Sequence, residues 1–577
     1  MPKHSKIETP ASPWDSELRL LAWLATCVSV LAFLFYLRRG EVLLYGDAIA
    51  HLNIARRVFD SKTPGLLQLG TVWLPLPHLL MIPFLISTRM WQTGAGGSIP
   101  SMAGYVFGVI GIFRLTRGVL SRGVEPDSAA RAGAWAAAII YAANPNLIYL
   151  QSTAMGESLY LAFFIWAVAY FSESMRGDTK ALAKCGFCLA AACLTRYDGW
   201  FLAAVMVVAV VVISGLDFRK GPSKVKFAGQ SGGRAALKGR VGDPKPKRAL
   251  APAAVLGFCL IAAAAPIFWL AYNGIIYKNP LEFENGPYSA KAIERKTQSA
   301  GNPGHPGSNN PFLAAQYFIK SAEDNVAVND WLQRIWLLLT TVATVSLIMY
   351  RKRWAADHLD EWPLLLLLTP VLFYALSIAY GAVPIFIPNW WPFTHYNVRY
   401  GLQMLPAFAV GLAILVYLAV RAASWNRRVR LGCVLGVFVL LMASYLSVWR
   451  ATPICLEEAR VNMRTRNQLQ LELARWLEKM PPDSTILMYL GDHVGALERA
   501  GVPLKRTINE GNHRVWKQPS DPDGLWERAL ANPSQYVDYV LAFEGDPVFQ
   551  AVHDQHLREL VEIHVTGQGR AVLYRAR

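Results

Sequence analysis

Residues 18–47 read LRLLAWLATCVSVLAFLFYLRRGEVLLYGD, and this stretch decides the fold. Its first part, 18–37, is an almost uninterrupted apolar run, and a helix needs about 20 such residues to cross a bilayer. The run is too long for the core of a signal peptide. It ends at Arg38 and Arg39 rather than at the small residues of a cleavage site. We therefore interpret it as a membrane anchor, with Asp47 following shortly after it at the membrane surface.

Comparable apolar runs recur along the chain. Of its 577 residues, 53% are hydrophobic, a fraction more typical of membrane proteins than of soluble domains. The apolar piece 72–88 is interrupted by Pro75, Pro77 and Pro83, which favours a re-entrant or interfacial segment over a span. We predict eleven spans, near 18–37, 100–119, 130–150, 156–172, 180–195, 199–216, 249–272, 331–350, 363–387, 401–420 and 430–449.

The distribution of the net charge of +17 predicts the orientation in the membrane. With the N-terminus in the cytoplasm, eleven spans put every strongly basic loop on the cytoplasmic side, as the positive-inside rule requires. Counting 72–88 as a further span would put those loops outside. The basic stretches are Arg114–Arg131, Arg176–Lys184, 217–248, Arg351–Arg353 and Arg421–Arg430. We expect a multi-pass protein of the cell (plasma) membrane.

Three regions follow from this topology. Residues 1–450 form a transmembrane domain, and 217–248 is a basic cytoplasmic loop whose Gly, Pro, Lys and Arg content is typical of disorder. No aromatic residues interleave with its basic residues as stacking on nucleic acid requires, so we expect no nucleic-acid partner. Residues 451–577 form an extracytoplasmic α/β domain, with strands at 484–489, 536–541 and 560–565.

Two features in the regions predicted to lie outside the membrane indicate a functional site less specifically. The polar loop at 302–307, rich in Gly and Pro, predicts a mobile segment that covers a site. Gly491-Asp492-His493 follows a predicted strand, which is a binding position in α/β folds. Solvation of a loop explains the same residues.

The strongest candidate for chemistry is Asp47. It opens an amphipathic stretch with apolar residues at 48, 52, 55 and 59, which predicts a helix lying on the membrane surface. His51 comes one turn later on the same face, and Arg57 lies about 80° from Asp47 around the helix. A carboxylate, an imidazole and a guanidinium at this level suit a phosphate-bearing substrate. Alternatively, Asp47 only caps the helix.

Further polar residues occur at the same membrane level. Glu157 stands at the outer mouth of a span, where a carboxylate also complements a helix dipole. Arg196 and Asp198 separate two spans, and they also have the spacing to pair with each other. Arg399, followed by Tyr400, is a candidate phosphate clamp because guanidinium binds phosphate in bidentate fashion. Snorkelling to the interface is its alternative explanation.

No ionisable residue lies at mid-depth in any predicted span. Ion-coupled transporters need such residues as relays or substrate partners, which disfavours transport.

The motifs at these positions resemble those of the GT-C glycosyltransferases, membrane enzymes that take sugars from polyprenyl-phosphate donors. The chain is similar in particular to the protein O-mannosyltransferase and lipid A aminoarabinose transferase groups. The resemblance covers the membrane portion and is carried by Gly46-Asp47, Leu74-Pro75-Leu76-Pro77, Gly156-Glu157, Thr195-Arg196, and Arg399-Tyr400 leading into Leu405-Pro406.

The resemblance implies that Asp47 is the catalytic acidic residue of the first outer loop and that Glu157 is the second acidic position. The sequence also departs from the pattern. The aminoarabinose group has a Lys where this chain has Trp73 and Leu74, so its phosphate clamp must come from elsewhere. His51 is not part of the pattern and leaves a metal-assisted variant open.

These observations predict a polytopic α-helical membrane protein of GT-C type with a small C-terminal extracytoplasmic α/β domain. Its expected activity is inverting transfer of a sugar from a polyprenyl-phosphate donor to a glycan, lipid or protein acceptor. Asp47 and Glu157 are the expected catalytic residues, and the substrate-binding residues are His51, Arg57, Arg196, Asp198, Arg399 and Tyr400. No metal ligands are assigned, although a divalent ion is compatible with paired carboxylates. A lipid or sugar transporter and a non-catalytic scaffold are the alternatives.

Overall fold

The computed structural model describes residues 15–577 except 122–126, 177, 221–250, 298–303, 350–360, 423, 513–523 and 554. Most of the basic loop 217–248, the basic stretch Arg351–Arg353 and the beginning of the loop 302–307 lie outside the described residues.

Helices dominate the membrane portion. They are α1 (Ser16–Arg38), α2 (Gly46–Arg57), α3 (Leu76–Leu85), α4 (Thr88–Gln92), α5 (Ala95–Leu120), α6 (Ser128–Ala142), α7 (Pro145–Leu150), α8 (Glu157–Met175), α9 (Thr179–Cys193), α10 (Asp198–Lys220), α11 (Pro252–Ile276), α12 (Glu282–Asn285), α13 (Ala290–Thr297), α14 (Pro311–Asp324), α15 (Asp330–Met349), α16 (Thr369–Tyr380), α17 (Leu405–Arg421) and α18 (Arg427–Ala451). Short 3₁₀ turns at Trp362–Leu368 and Val398–Met404 lead into α16 and α17.

The helices agree with the predicted spans. Nine helical segments in the described part of the chain are long and apolar enough to cross a membrane. The other two predicted spans, 130–150 and 180–195, correspond to α6 and α9, each of 15 residues. In the first of these, Asn144-Pro145 breaks the helix and α7 continues it. Helix α3, in the segment 72–88, has 10 residues and is about 15 Å long, too short to cross the hydrocarbon core.

The C-terminal region contains a five-stranded mixed sheet in the order β2-β1-β3-β5-β4. Strand β1 pairs in parallel with β2 and β3, while β5 is antiparallel to β3 and β4. Three of these strands, β1, β3 and β4, lie where the sequence predicts strands. The elements are α19 (Ile454–Leu477), β1 (Ile486–Met488), α20 (Gly495–Ala500), β2 (Thr507–Ile508), α21 (Leu525–Ala531), α22 (Pro533–Tyr536), β3 (Tyr539–Phe543), α23 (Pro547–Val552), β4 (Arg558–Ile563) and β5 (Ala571–Arg575).

This C-terminal region packs on the end of the membrane portion that carries α2. The Asn53 amide on α2 donates to the Glu498 carboxylate on α20 at 2.7 Å. Just beyond α2, the Asp60 carboxylate accepts from the backbone N–H groups of Leu504 and Lys505, at 3.3 and 3.2 Å. Gln68 donates to the Gly511 carbonyl at 2.8 Å. Helix α2 is therefore fixed by elements from both parts of the molecule.

Candidate active site

A cavity of about 1130 Å³ lies between the membrane helices and the C-terminal region. One of its walls is formed by one face of α2, and another by the loop after β1, including Tyr489 and Gly491. Gly304 and His305, from the described part of the predicted covering loop, also line it. All eight predicted site residues line this one cavity: Asp47, His51, Arg57, Glu157, Arg196, Asp198, Arg399 and Tyr400.

Asp47 does not cap α2. The helix begins at Gly46, and Tyr45 at the N-cap position makes no side-chain capping hydrogen bond. Instead, the Asp47 carboxylate accepts from Arg399 Nη2 at 2.5 Å, and 40% of its side chain remains exposed. The capping alternative therefore does not account for this residue, whose carboxylate is held by Arg399 and open to the cavity.

Arg399 is surrounded by carboxylates. Its Nε donates to Glu157 at 3.2 Å and its Nη1 donates to Glu458 at 2.7 Å, in addition to the bond with Asp47. The residue is only 5% exposed. This differs from the expectation of a phosphate clamp, because each of the three guanidinium nitrogens already binds a carboxylate. Snorkelling does not describe the arrangement either, since the guanidinium is buried inside the protein.

Arg196 binds the next pair of carboxylates. It donates to Glu157 at 3.1 Å, to Asp198 at 3.3 Å and to the Tyr374 hydroxyl at 3.0 Å. The Tyr374 hydroxyl in turn donates to Asp198 at 2.7 Å. The expected pairing of Arg196 with Asp198 is thus present, but it is part of a larger network that reaches Asp47 through Glu157 and Arg399.

Tyr400 lies between the two arginines. Its ring centroid is 4.6 Å from Arg196 Cζ and 5.0 Å from Arg399 Cζ, which is cation–π distance for both. The ring of Tyr400 thus contacts both guanidinium groups. We call the whole group the arginine–carboxylate cluster: Asp47, Glu157, Arg196, Asp198, Arg399, Tyr400 and Glu458.

The cluster holds four carboxylates and two guanidinium groups, so its cations are neutralised within it. Glu157 is 1% exposed, and its Oε1 accepts from both arginines. Its Oε2 is buried and has no hydrogen-bond partner. An unpartnered buried carboxylate oxygen is costly in a folded protein, and a hydroxyl group of a bound substrate would satisfy it.

Arg57, at the far end of α2, has a different environment. Among the described residues no carboxylate pairs with it, and its buried Nε has no hydrogen-bond partner. Arg57 lines the same cavity as the cluster. It is therefore a cation whose hydrogen-bonding capacity is available to an anionic ligand.

His51 lies between Asp47 and Arg57 along α2. It is 9% exposed, its ring packs against Trp73 at a centroid distance of 5.0 Å, and its Nδ1 lies 2.8 Å from His78 Nε2. Burial lowers the pKa of His51, with Asp47 and Glu157 opposing this effect. In the described part of the chain, no three His, Cys, Asp or Glu side chains converge in the manner of a metal site.

Sequence reasoning missed Glu458, His78 and Tyr374. For Glu458 a signal existed, because it lies on the stripe of α19 formed by Cys455, Ala459 and Met463, all of them buried. A glutamate on an otherwise apolar helix face has to have a buried partner. His78 and Tyr374 give no comparable signal, since each lies in an apolar segment where a single polar residue is common.

No protein-family model matches the sequence, and no curated protein matches it by sequence similarity. Among solved structures, the chain is similar to ArnT from Cupriavidus metallidurans. The crystal structure of that protein bound to undecaprenyl phosphate aligns with a TM-score of 0.54 at 13% identity, covering 97% of this chain and 98% of that one. The apo structure of the same protein aligns with a TM-score of 0.52 at 12% identity, covering 97% of this chain and 99% of that one. The chain thus shares its overall fold with that protein, in agreement with the polytopic helical membrane fold that the sequence predicts.

Proposed function

We propose that this chain is an integral membrane glycosyltransferase that moves a sugar from a polyprenyl-phosphate donor to an acceptor hydroxyl with inversion. One observation carries the proposal. The Asp47 carboxylate is held at 2.5 Å by the buried Arg399, and 40% of the Asp47 side chain is still exposed at the cavity between the membrane helices and the C-terminal region. A base that is fixed in position and accessible is what such a transfer requires. The GT-C fold supports the same class of reaction.

The reaction needs little else from the protein. The acceptor oxygen attacks the anomeric carbon, and its proton passes to the Asp47 carboxylate. The bond between the anomeric carbon and the phosphate oxygen breaks, and its electrons leave with the polyprenyl phosphate. Phosphate is a good leaving group, so the chemistry requires donors and cations near the developing charge and no strong acid.

The phosphate is better assigned to Arg57 than to Arg399. The Arg399 guanidinium already donates to three carboxylates, whereas Arg57 has no carboxylate partner among the described residues. Ten residues of helix separate Asp47 from Arg57, which is about 15 Å along the axis. An extended arginine side chain that points back along the helix would shorten that separation.

Glu157 fits the role of orienting the acceptor. Arg196 and Arg399 fix its Oε1, while its Oε2 has no partner within the protein. A second hydroxyl of the acceptor that donates to Oε2 would hold the attacking hydroxyl close to Asp47, because both carboxylates bind Arg399. Holding two reacting groups in position in this way lowers the activation free energy by several kcal/mol.

We place this site on the extracytoplasmic side, with the N-terminus in the cytoplasm and residues 451–577 outside. The basic loops predict that orientation. The cavity lies between the membrane helices and the C-terminal sheet, where a lipid-linked sugar in the outer leaflet and a water-borne or membrane-borne acceptor can meet.

The test is transfer of radiolabelled sugar from a panel of polyprenyl-phosphate sugars in membranes that contain wild type, Asp47→Asn or Glu472→Gln. Glu472 is an exposed carboxylate that pairs with Arg475 away from the cavity, and serves as the matched control. We expect transfer by wild type and control, and a loss of about 10²–10⁴-fold in Asp47→Asn. Equal transfer by Asp47→Asn would remove Asp47 as the base. Absence of transfer by wild type with every donor would contradict the function itself.

A further inference from the structure

His51 and His78 form a buried pair beside the cavity. His51 Nδ1 and His78 Nε2 are 2.8 Å apart, and the two residues are 9% and 0% exposed. His78 Nδ1 is buried without a hydrogen-bond partner. His51 Nε2 has no partner among the described residues and is not sealed from solvent, and His51 lines the cavity.

The pair has one favourable arrangement of protons. Burial lowers the pKa of His51 and lowers the pKa of His78 well below its ordinary value, so both rings are neutral and carry one N–H each. A hydrogen bond between two ring nitrogens needs a proton on one of them only. If His78 carried its proton on Nδ1, a buried N–H would be left without an acceptor, and orphaned buried N–H groups are rare. His78 therefore carries its proton on Nε2 and donates it to His51 Nδ1.

The tautomer of His51 follows from that of His78. Since His51 Nδ1 accepts, its own proton must lie on Nε2, the nitrogen that is open to the cavity. The partner of a histidine ring nitrogen commonly decides in this way which chemistry the other nitrogen can do.

We propose that His78 holds His51 as a hydrogen-bond donor, and that this donor binds an oxygen of the polyprenyl phosphate next to the anomeric carbon. The proposal rests on the proposed function. His51 is then a catalytic residue because it touches the reacting phosphate, and His78 is a positioning residue.

The order of residues along α2 supports this assignment. Asp47, His51 and Arg57 follow one another at about 6 Å and then about 9 Å along the helix axis. In an inverting displacement the attacking and leaving oxygens lie on opposite sides of the anomeric carbon. Asp47 would serve the attacking oxygen, His51 the leaving oxygen, and Arg57 the outer phosphate oxygens. A neutral donor suits the middle position because it does not compete with Asp47 for the acceptor proton.

Binding of undecaprenyl phosphate tests the proposal without requiring transfer. The full chain in phosphatidylcholine nanodiscs is titrated with undecaprenyl phosphate, and with undecaprenol as the control that lacks the phosphate. Glutamine is the decisive substitution at both positions, because its amide N–H stands where the Nε2–H of histidine stands. We expect His51→Leu and His78→Phe to weaken binding of the phosphate about 10-fold, while His51→Gln and His78→Gln stay within about 3-fold of wild type.

A second readout needs only the wild-type fold. In protein labelled with ¹⁵N-histidine, the ring signals that disappear in His51→Gln should show a protonated Nε2 and an unprotonated Nδ1. Equal binding by His51→Leu and wild type, equally weak binding by His51→Gln and His51→Leu, or an unprotonated His51 Nε2 would each overturn the proposal. Failure of sugar transfer with these results intact would contradict the proposed function and leave the phosphate-binding role of His51 standing.

Discussion

Two arginines line the same cavity in opposite circumstances. Arg399 contacts three carboxylates and is almost fully buried, while Arg57 has no carboxylate partner among the described residues. Their sequence contexts do not reveal the difference, since both are arginines predicted to lie at the membrane surface beside apolar residues. The comparison teaches that an arginine near a cavity can be placed in two distinct ways: paired with carboxylates that it holds in position, or left with hydrogen-bond donors that an anionic ligand can use.

The first way to test this comparison is to remove Arg399. Arg399→Gln leaves Asp47, Glu157 and Glu458 without their shared cation, and removal of one partner from a buried ion pair costs about 3–5 kcal/mol. We expect a large drop in the midpoint of thermal unfolding in detergent, together with loss of transfer. An unchanged midpoint would show that Arg399 does not hold the cluster together.

Removal of Arg57 should have the opposite pattern. We expect Arg57→Gln to raise the KM for the donor about 10–100-fold, which is about 1.4–2.8 kcal/mol of lost binding. The unfolding midpoint should stay close to that of wild type, because no buried carboxylate loses a partner. Steady-state kinetics with varied donor measures the effect, and Arg57→Lys, which keeps the charge, serves as the control. Destabilisation comparable to that of Arg399→Gln would erase the distinction between the two arginines.

Loss of the Tyr400 ring should destabilise the arginine–carboxylate cluster, but less than loss of Arg399. Tyr400→Leu removes the aromatic face between Arg196 and Arg399, each about 5 Å from the ring, and two such contacts are worth about 1–2 kcal/mol. Tyr400→Phe keeps the ring and should behave nearly as wild type in thermal unfolding. Equal destabilisation by both variants would assign the effect to the hydroxyl group instead of to the ring.

The last effect is confined to one range of pH and concerns Glu498, a buried carboxylate that makes no ion pair with an arginine among the described residues. Burial raises its pKa to about 8, and the Asn53 amide is its hydrogen-bond partner. Between its usual pKa of 4.5 and about 8, the folded protein holds a proton that the unfolded chain has released, so stability falls as pH rises through this window. Unfolding midpoints of wild type should decline from pH 5 to pH 8. Glu498→Gln should differ little at pH 5 and should remove part of that decline; identical pH profiles would contradict this expectation.

The membrane part of the fold could be predicted from local properties of the sequence. Apolar runs, proline interruptions and basic loops can each be recognised within a window of about 20 residues. The helices lie where the apolar runs occur. Strands β2 and β5 were missed. Strand β2 has only two residues, which leaves no pattern to detect.

Eight residues that line the cavity could be named from the sequence, but the partners that surround them could not. Asp47, Glu157 and Arg399 were identified from their position at the ends of apolar runs. That Arg399 binds carboxylates instead of remaining open for phosphate depends on contacts with residues 59, 242 and 352 positions away in sequence. No local pattern contains that information, because such contacts are decided only when the helices pack.

The packing of the C-terminal region on α2 also affects how the protein is made. Asn53 and its partner Glu498 are 445 residues apart, and at about 5–20 residues per second a ribosome needs roughly 20–90 seconds to cover that distance. During this time helix α2, which bears Asp47, has been synthesised, but the C-terminal residues that contact it have not. The cavity is therefore completed late in biosynthesis, after the C-terminal region has been synthesised and has packed on α2.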